Sequence, residues 1–92
     1  MDYEELYTAA NNVILAIDNN PPEYASKNVL ISIKNQMQFI RDHAAAGNNP
    51  ARELPLGKAF TYGILSSREL ASPDEMILKG LIDEVSKITD DE

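Results

Sequence analysis

The feature that most constrains the fold is an apolar stripe in the middle of the chain. Five apolar residues recur there every three or four positions, namely Leu30, Ile33, Met37, Ile40 and Ala44. This period places them on one face of an α-helix, and Val29 and Phe39 widen that face. We predict a helix from Pro22 or Glu23 to Ala46. Gly47-Asn48-Asn49 ends it with residues that tolerate positive φ.

An earlier helix is predicted from Asp2 to about Ile17. Its apolar positions share the same spacing and are Tyr3, Leu6, Ala10, Val13 and Ile17. Carboxylates at positions 2, 4 and 5 lie in the first turn, where they interact favourably with the helix dipole. Pro21-Pro22 then stops the helix, because proline has no N–H to donate and disfavours helical geometry in the residue before it.

Residues 49 to 70 are predicted to form one short turn and a third helix. Asn49 caps the turn and Pro50 occupies its first helical position. The helix then runs from about Leu56 to Leu70. Its candidate inner positions are Leu56, Ala59, Phe60, Gly63, Ile64 and Leu70. Gly57 and Gly63 each cost about 1 kcal/mol relative to alanine, so we expect close packing at both.

The last helix has the clearest start signal in the chain. Ser72-Pro73-Asp74-Glu75 combines a cap, a proline at the first helical position and a capping-box glutamate. The apolar positions that follow are Ile77, Leu78, Leu81, Ile82, Val85 and Ile88. An acidic tail is expected from about residue 89 to 92. The predicted fold is therefore all-α, a single domain over 1–92 built as an antiparallel bundle of four helices, with three to five as the range.

Composition narrows the function classes. The net charge is −7, with fifteen acidic and eight basic residues, which disfavours nucleic acid as a partner. Cysteine is absent, which excludes disulfides and thiolate metal sites. The apolar stretches are far shorter than the roughly 20 residues that span a bilayer, and the acidic start does not resemble a signal peptide. We expect a cytoplasmic protein without membrane contact.

Candidate catalytic groups are few. His43 is the one histidine, and its place near the end of the second helix suits a partly charged imidazole. The carboxylate pairs 4–5, 74–75 and 83–84 are adjacent in sequence, and adjacent residues on a helix point about 100° apart. No glycine-rich phosphate loop is present. We therefore predict no catalytic residue, no metal site and no cofactor.

Surface recognition is the remaining chemistry. Four of the six aromatic residues are tyrosines, a type enriched at interfaces: Tyr3, Tyr7, Tyr24 and Tyr62. Tyr62 lies near two glycines, where a partner would approach closely, and half-buried packing is the alternative interpretation. Lys27, Lys34 and Arg41 recur every seven residues. They form either a basic edge for an acidic ligand or a border whose stems cover the core and whose heads face the acidic first helix.

Several short motifs resemble a known family. The run Gln36-Met37-Gln38-Phe39-Ile40-Arg41 is similar to the second helix of small all-helical immunity proteins that neutralise NAD(P)-glycohydrolase effector toxins of the bacterial type VI secretion system. Leu54-Pro55-Leu56-Gly57 resembles the opening of that family's next helix. Arg68-Glu69-Leu70, followed by Ser72 to Met76 and Leu81, resembles its later part. The motifs keep the same order over about residues 30 to 84.

The resemblance implies a function by occlusion. The chain would bind the catalytic domain of a cognate secreted toxin and block its dinucleotide-binding active site. The expected contact residues are Gln38, Arg41, Tyr62, Glu69 and Asp83. The alternative is a non-catalytic helical adaptor or regulatory protein that docks on an unrelated intracellular partner. A homodimer formed through an exposed apolar flank also stays open.

Overall fold

The computed structural model describes residues 2–23, 25–55, 57–70 and 72–90. Five α-helices follow one another in this part of the chain, which contains no strand: α1 (Tyr3–Asn19), α2 (Lys27–Ala45), α3 (Pro50–Glu53), α4 (Tyr62–Glu69) and α5 (Met76–Asp90). The expectation of an all-α bundle is confirmed. Leu56, Tyr24 and the tail residues 91 and 92 lie outside the described residues.

Helix α1 starts as its sequence indicates. Asp2 has extended backbone geometry, and its Oδ1 accepts the Glu5 N–H at 3.1 Å. Glu4 and Glu5 occupy the first turn, near the positive end of the helix dipole. The predicted inner face is confirmed at Leu6, Ala10, Val13 and Ile17, which are buried together with Ile14.

Helix α2 has the predicted core face but a later start. All five residues of the apolar stripe are buried. The prediction of a start at Pro22 or Glu23 is wrong: the Ala25 N–H donates to the Pro22 carbonyl at 3.4 Å, outside the helix. Ser26 is extended, with φ −62° and ψ 131°. The helix therefore begins at Lys27, and its carboxyl end is followed by Gly47 with φ +74°.

The turn α3 is confirmed as predicted. Asn49 Oδ1 accepts the Ala51 N–H at 3.0 Å, and Pro50 occupies the first turn. Asn49 and Pro50 are both buried, so this turn fastens the connection after α2 to the rest of the protein.

Helix α4 is shorter than predicted. It begins at Tyr62 instead of Leu56, because Gly57 adopts φ +82°, which a continuing helix does not allow. The residues between are irregular. Ala59, Gly63 and Ile64 are exposed, so the prediction that they occupy inner positions is wrong. The prediction of close packing at the glycines is also wrong, since a Cβ added to Gly57 or Gly63 would meet no atom of the described residues within 4 Å.

Helix α5 follows a 3₁₀ turn at Pro73–Glu75. The Ser72 hydroxyl donates to Glu75 Oε1, and Glu75 N–H donates to the Ser72 carbonyl at 3.0 Å. The side chains of Leu78, Ile82 and Val85 are buried as expected, whereas Ile77 is 77% exposed and is a wrong core assignment. The helix continues through Asp90, so Thr89 belongs to it and not to the tail.

The helices surround one apolar core. Helix α1 contacts both α2 and α5, and α4 contacts α2 and α5. The short connection between α1 and α2 makes these two antiparallel, with Lys34 Nζ 2.5 Å from Asp18 Oδ1. Helix α4 is thus the short fourth helix of the bundle, and it packs against both α2 and α5.

Candidate functional site

A groove of about 550 Å³ lies where α4 meets α5. Its wall on the α4 side is mainly apolar and includes Phe60 and Ile64. Its wall on the α5 side is polar and includes Asp83 and Ser86. Ile64 is 57% exposed, and the Asp83 side chain is 59% exposed. The groove therefore offers an apolar contact and a carboxylate side by side.

Tyr62 is a buried part of this groove. Its residue exposure is 6%, and its hydroxyl lies 3.2 Å from Thr89 Oγ1. The Thr89 hydroxyl has one proton, and the Val85 and Ser86 carbonyls lie 3.1 and 3.0 Å away as its acceptors. Tyr62 therefore donates to Thr89. The structure favours the packing interpretation of this tyrosine, since it supports the groove instead of projecting from it.

Gln36 is a site residue that the sequence analysis did not single out. Its Oε1 accepts the N–H groups of Thr61 and Tyr62 at 2.8 and 2.9 Å. Its Nε2 donates to Thr61 Oγ1 at 2.8 Å. The side chain thus caps the first turn of α4 from α2. The sequence signal for this cap is a polar amide on the same side of α2 as Phe39. The signal is weak, because Thr61, which donates to the amide, is 25 residues away in the chain.

Aromatic rings connect α2 to the groove. Phe39 and Phe60 have ring centroids 5.9 Å apart, and Phe60 and Tyr62 have centroids 5.8 Å apart. The His43 ring, in the last turn of α2, also contacts Phe39, with ring centroids 4.4 Å apart. A second groove of about 370 Å³ adjoins Phe60 and is lined by apolar residues such as Phe39 and Pro55 together with polar ones such as Gln36. The segment before α4 is therefore fixed by ring contacts as well as by hydrogen bonds.

Two acidic residues of the predicted contact set belong to this side of the protein. Asp83 Oδ2 accepts a hydrogen bond from Lys79 Nζ at 3.1 Å, one helical turn earlier. Glu69 is exposed at the last residue of α4 and is not among the residues that line the groove. Asp83 and Tyr62 are the two predicted residues that the groove brings together.

Gln38 and Arg41 occupy a different face of α2. Residues two positions apart on a helix point about 160° apart, so Gln38 points away from the side on which Gln36 caps α4. Arg41 Nε lies 3.2 Å from Asp42 Oδ1. Lys34 shares this face and pairs with Asp18 of α1, which agrees with the border interpretation of the basic residues. The five predicted contacts thus fall on two faces.

The groups that line the groove are suited to binding. No group of three or more histidine, cysteine or carboxylate side chains suited to a metal ion occurs among the residues that the structure describes. The described residues that line the groove include one carboxylate, several hydroxyls and no histidine. These groups provide hydrogen bonds, one charge and apolar area, which are the means of protein recognition.

Within the described ranges, none of the helices has the length and apolar character to cross a membrane.

The structure is that of a small all-α protein with a groove between α4 and α5, and comparison with known families makes this class more specific. The chain belongs to the Tsi6 family, a type VI secretion immunity protein family, whose family model matches residues 5–91. This confirms the immunity-protein resemblance and implies a toxin as the partner. No curated protein and no solved structure matches the chain.

Proposed function

We propose that this protein binds a cognate secreted toxin and occludes the dinucleotide-binding active site of that toxin, which consumes NAD(P). Membership of the immunity family supports the binding of a toxin. The motif order over residues 30 to 84 supports the choice of toxin class. The protein acts without catalysis, as a physical block that protects the producing cell.

The observation that carries this proposal is the pairing of exposed apolar and acidic groups at the groove. Ile64 and Asp83 line the same concavity from α4 and α5. Interfaces gain affinity from desolvated apolar anchors, and adjacent charge contributes specificity. The groove meets both requirements on one concave surface between α4 and α5.

The charge of the chain supports the active site as the target. A cleft that holds a pyrophosphate is electropositive, and a protein with net charge −7 is attracted to it over long range. Asp83 at the groove and Glu69 at the end of α4 carry this charge close to the contact surface. Steering of this kind raises the association rate and weakens with added salt.

The contact residues fall into two sets. Asp83 and Glu69 touch the toxin directly beside α4, while Tyr62 supports the groove from below. Gln38 and Arg41 form a second contact area on α2. The protein is only 34 × 27 × 20 Å across, so a toxin domain that spans both areas is sterically reasonable.

Co-purification with the protein encoded immediately upstream, followed by an NAD(P) consumption assay, tests this function. The expected result is a stable complex in which NAD(P) loss stops. A complex without NAD(P) chemistry contradicts the toxin class and leaves the immunity role. Absence of both a complex and toxicity contradicts the proposal and favours the adaptor alternative.

A further inference from the structure

We propose that Gln36 is a positioning residue that holds α4, and with it the groove, in the shape that binds the partner. The inference about binding rests on the proposed function, whereas the inference about α4 stands on the structure of the free protein. It assigns a role to a residue outside the predicted contact set.

All hydrogen-bonding capacity of the Gln36 amide is used. A glutamine amide has two acceptor positions and two N–H donors. The acceptors take the N–H groups of Thr61 and Tyr62. The donors reach Thr61 Oγ1 and, at 3.3 Å, Ser32 Oγ within α2. A fully satisfied amide has one orientation, which makes Gln36 a rigid link between α2 and α4.

Helix α4 needs such a link because it is weak on its own. It has eight residues, and isolated helices shorter than about 12–15 residues are marginal in water. Gly63 in its first turn lowers its stability further. Thr61, the residue at the cap position, has φ −112° and ψ −1° and makes no side-chain cap hydrogen bond. The cap is provided by Gln36 instead.

The link acts where the groove begins. Tyr62, Gly63 and Ile64 are the first three residues of α4, and all three line the groove. The Tyr62 N–H is fixed to α2 by Gln36, and its hydroxyl is fixed to α5 by Thr89. Loss of the first link frees the turn that carries Ile64. A partner must then order that turn on binding, which lowers its affinity.

Gln36→Ala and Gln36→Glu separate this role from simple loss of stability. The alanine variant removes all four hydrogen bonds. The glutamate variant keeps an acceptor for the Thr61 and Tyr62 N–H groups and adds a negative charge at the helix N-terminus, where it is favourable. The Thr61 hydroxyl then donates to the carboxylate. Asn28→Ala, an exposed truncation on the same helix, is the matched control.

Hydrogen exchange of the free protein is the first measurement. For Gln36→Ala we expect exchange at Tyr62 and at the first turn of α4 to rise about tenfold or more, while the Val13 and Val85 amides keep the wild-type rate. Gln36→Glu and Asn28→Ala should stay within about threefold of wild type. Unchanged exchange in α4 of the alanine variant would overturn the inference. If that variant does not fold, Gln36→Met keeps the volume and removes the same bonds.

Affinity for the co-purified toxin is the second measurement. We expect Gln36→Ala to weaken binding about tenfold, equal to about 1.4 kcal/mol, and Gln36→Glu to restore it. Faster exchange with unchanged affinity would overturn the positioning role. Failure of the wild-type protein to bind any toxin would contradict the proposed function, whereas the exchange data would still decide whether Gln36 holds α4.

Discussion

Gln36 Oε1 lies 2.9 Å from the amide nitrogen of Tyr62, a residue 26 positions later in the chain. This hydrogen bond joins α2, the longest of the described helices, to the short helix α4. Because Tyr62 also bonds Thr89 of α5, one residue connects three elements. The candidate recognition surface therefore depends on contacts between helices as much as on the residues exposed upon it.

Reversal of charge at Asp83 should weaken toxin binding. Asp83→Lys places a cation where we propose that the carboxylate meets an electropositive cleft, and we expect affinity to fall at least about tenfold. Stability should change little, since the surface pair with Lys79 is worth about 0.3–0.5 kcal/mol. Calorimetric titration of the toxin at two salt concentrations measures the effect.

Glu84→Lys is the control for that experiment. Glu84 is the next residue on α5 and lines a different groove, between α1 and α5. Glu84→Lys changes the net charge by the same amount as Asp83→Lys, so its effect on affinity reports long-range steering alone. Equal losses from the two variants would contradict the assignment of Asp83 to the interface.

Removal of the Ser66 hydroxyl should stabilise the protein. Ser66 is 1% exposed, and its Oγ has no hydrogen-bond partner among the described residues. Burial of such a group is costly, and alanine is the better helix former. We expect Ser66→Ala to raise the free energy of unfolding by about 1 kcal/mol. Urea denaturation measures this.

Ser67→Ala on the exposed neighbouring position supplies the reference for Ser66. It gains only the difference in helix propensity, about 0.5 kcal/mol. If Ser66→Ala proves less stable than Ser67→Ala, the buried hydroxyl has a stabilising partner and the interpretation is wrong.

Two isoleucines on α2 should differ sharply in their contribution to stability. Ile33 is fully buried, whereas Ile31 is 55% exposed. Ile33→Ala should lower the free energy of unfolding by about 3 kcal/mol, through lost burial and the cavity left behind. Ile31→Ala should stay within about 0.5 kcal/mol of wild type. Similar melting temperatures for the two variants would contradict the core assignment.

Glycines in different backbone conformations should respond in opposite directions. Gly80 lies in the exposed part of α5 with open space around it, so Gly80→Ala should gain about 0.5–1 kcal/mol. Gly57 has φ +82°, and alanine there should lose about 1 kcal/mol. Thermal unfolding of both variants checks the signs. A stabilising Gly57→Ala would show that this turn does not keep its left-handed backbone.

The fold was predictable where local pattern decides the structure. The apolar face of α2 and the Asn49-Pro50 turn depend on spacing and capping within a few residues, and both predictions are confirmed. The start of α4 was not predictable in this way. The apolar residues from 54 to 60 allow a helix by composition, and a single positive φ at Gly57 prevents it.

The candidate site was predictable only in part. Asp83 and Tyr62 do line one groove. Tyr62 was singled out as a tyrosine near two glycines, and Asp83 belonged to the contact set expected from the family resemblance. The role of Gln36 was not predicted, because it depends on a backbone N–H group that is 25 residues away in sequence. Ile64 was assigned to the core, since an apolar side chain at helical spacing does not reveal whether another element covers it.

The contact between α1 and α5 has a consequence for synthesis. The buried face of α1, which includes Leu6 and Val13, packs on a helix that begins only at Met76. Helix α2 covers part of that face first, and the cover is complete only when α5 has also left the ribosome. Until α5 is available, this part of the apolar face of the first helix is a surface on which chaperones act.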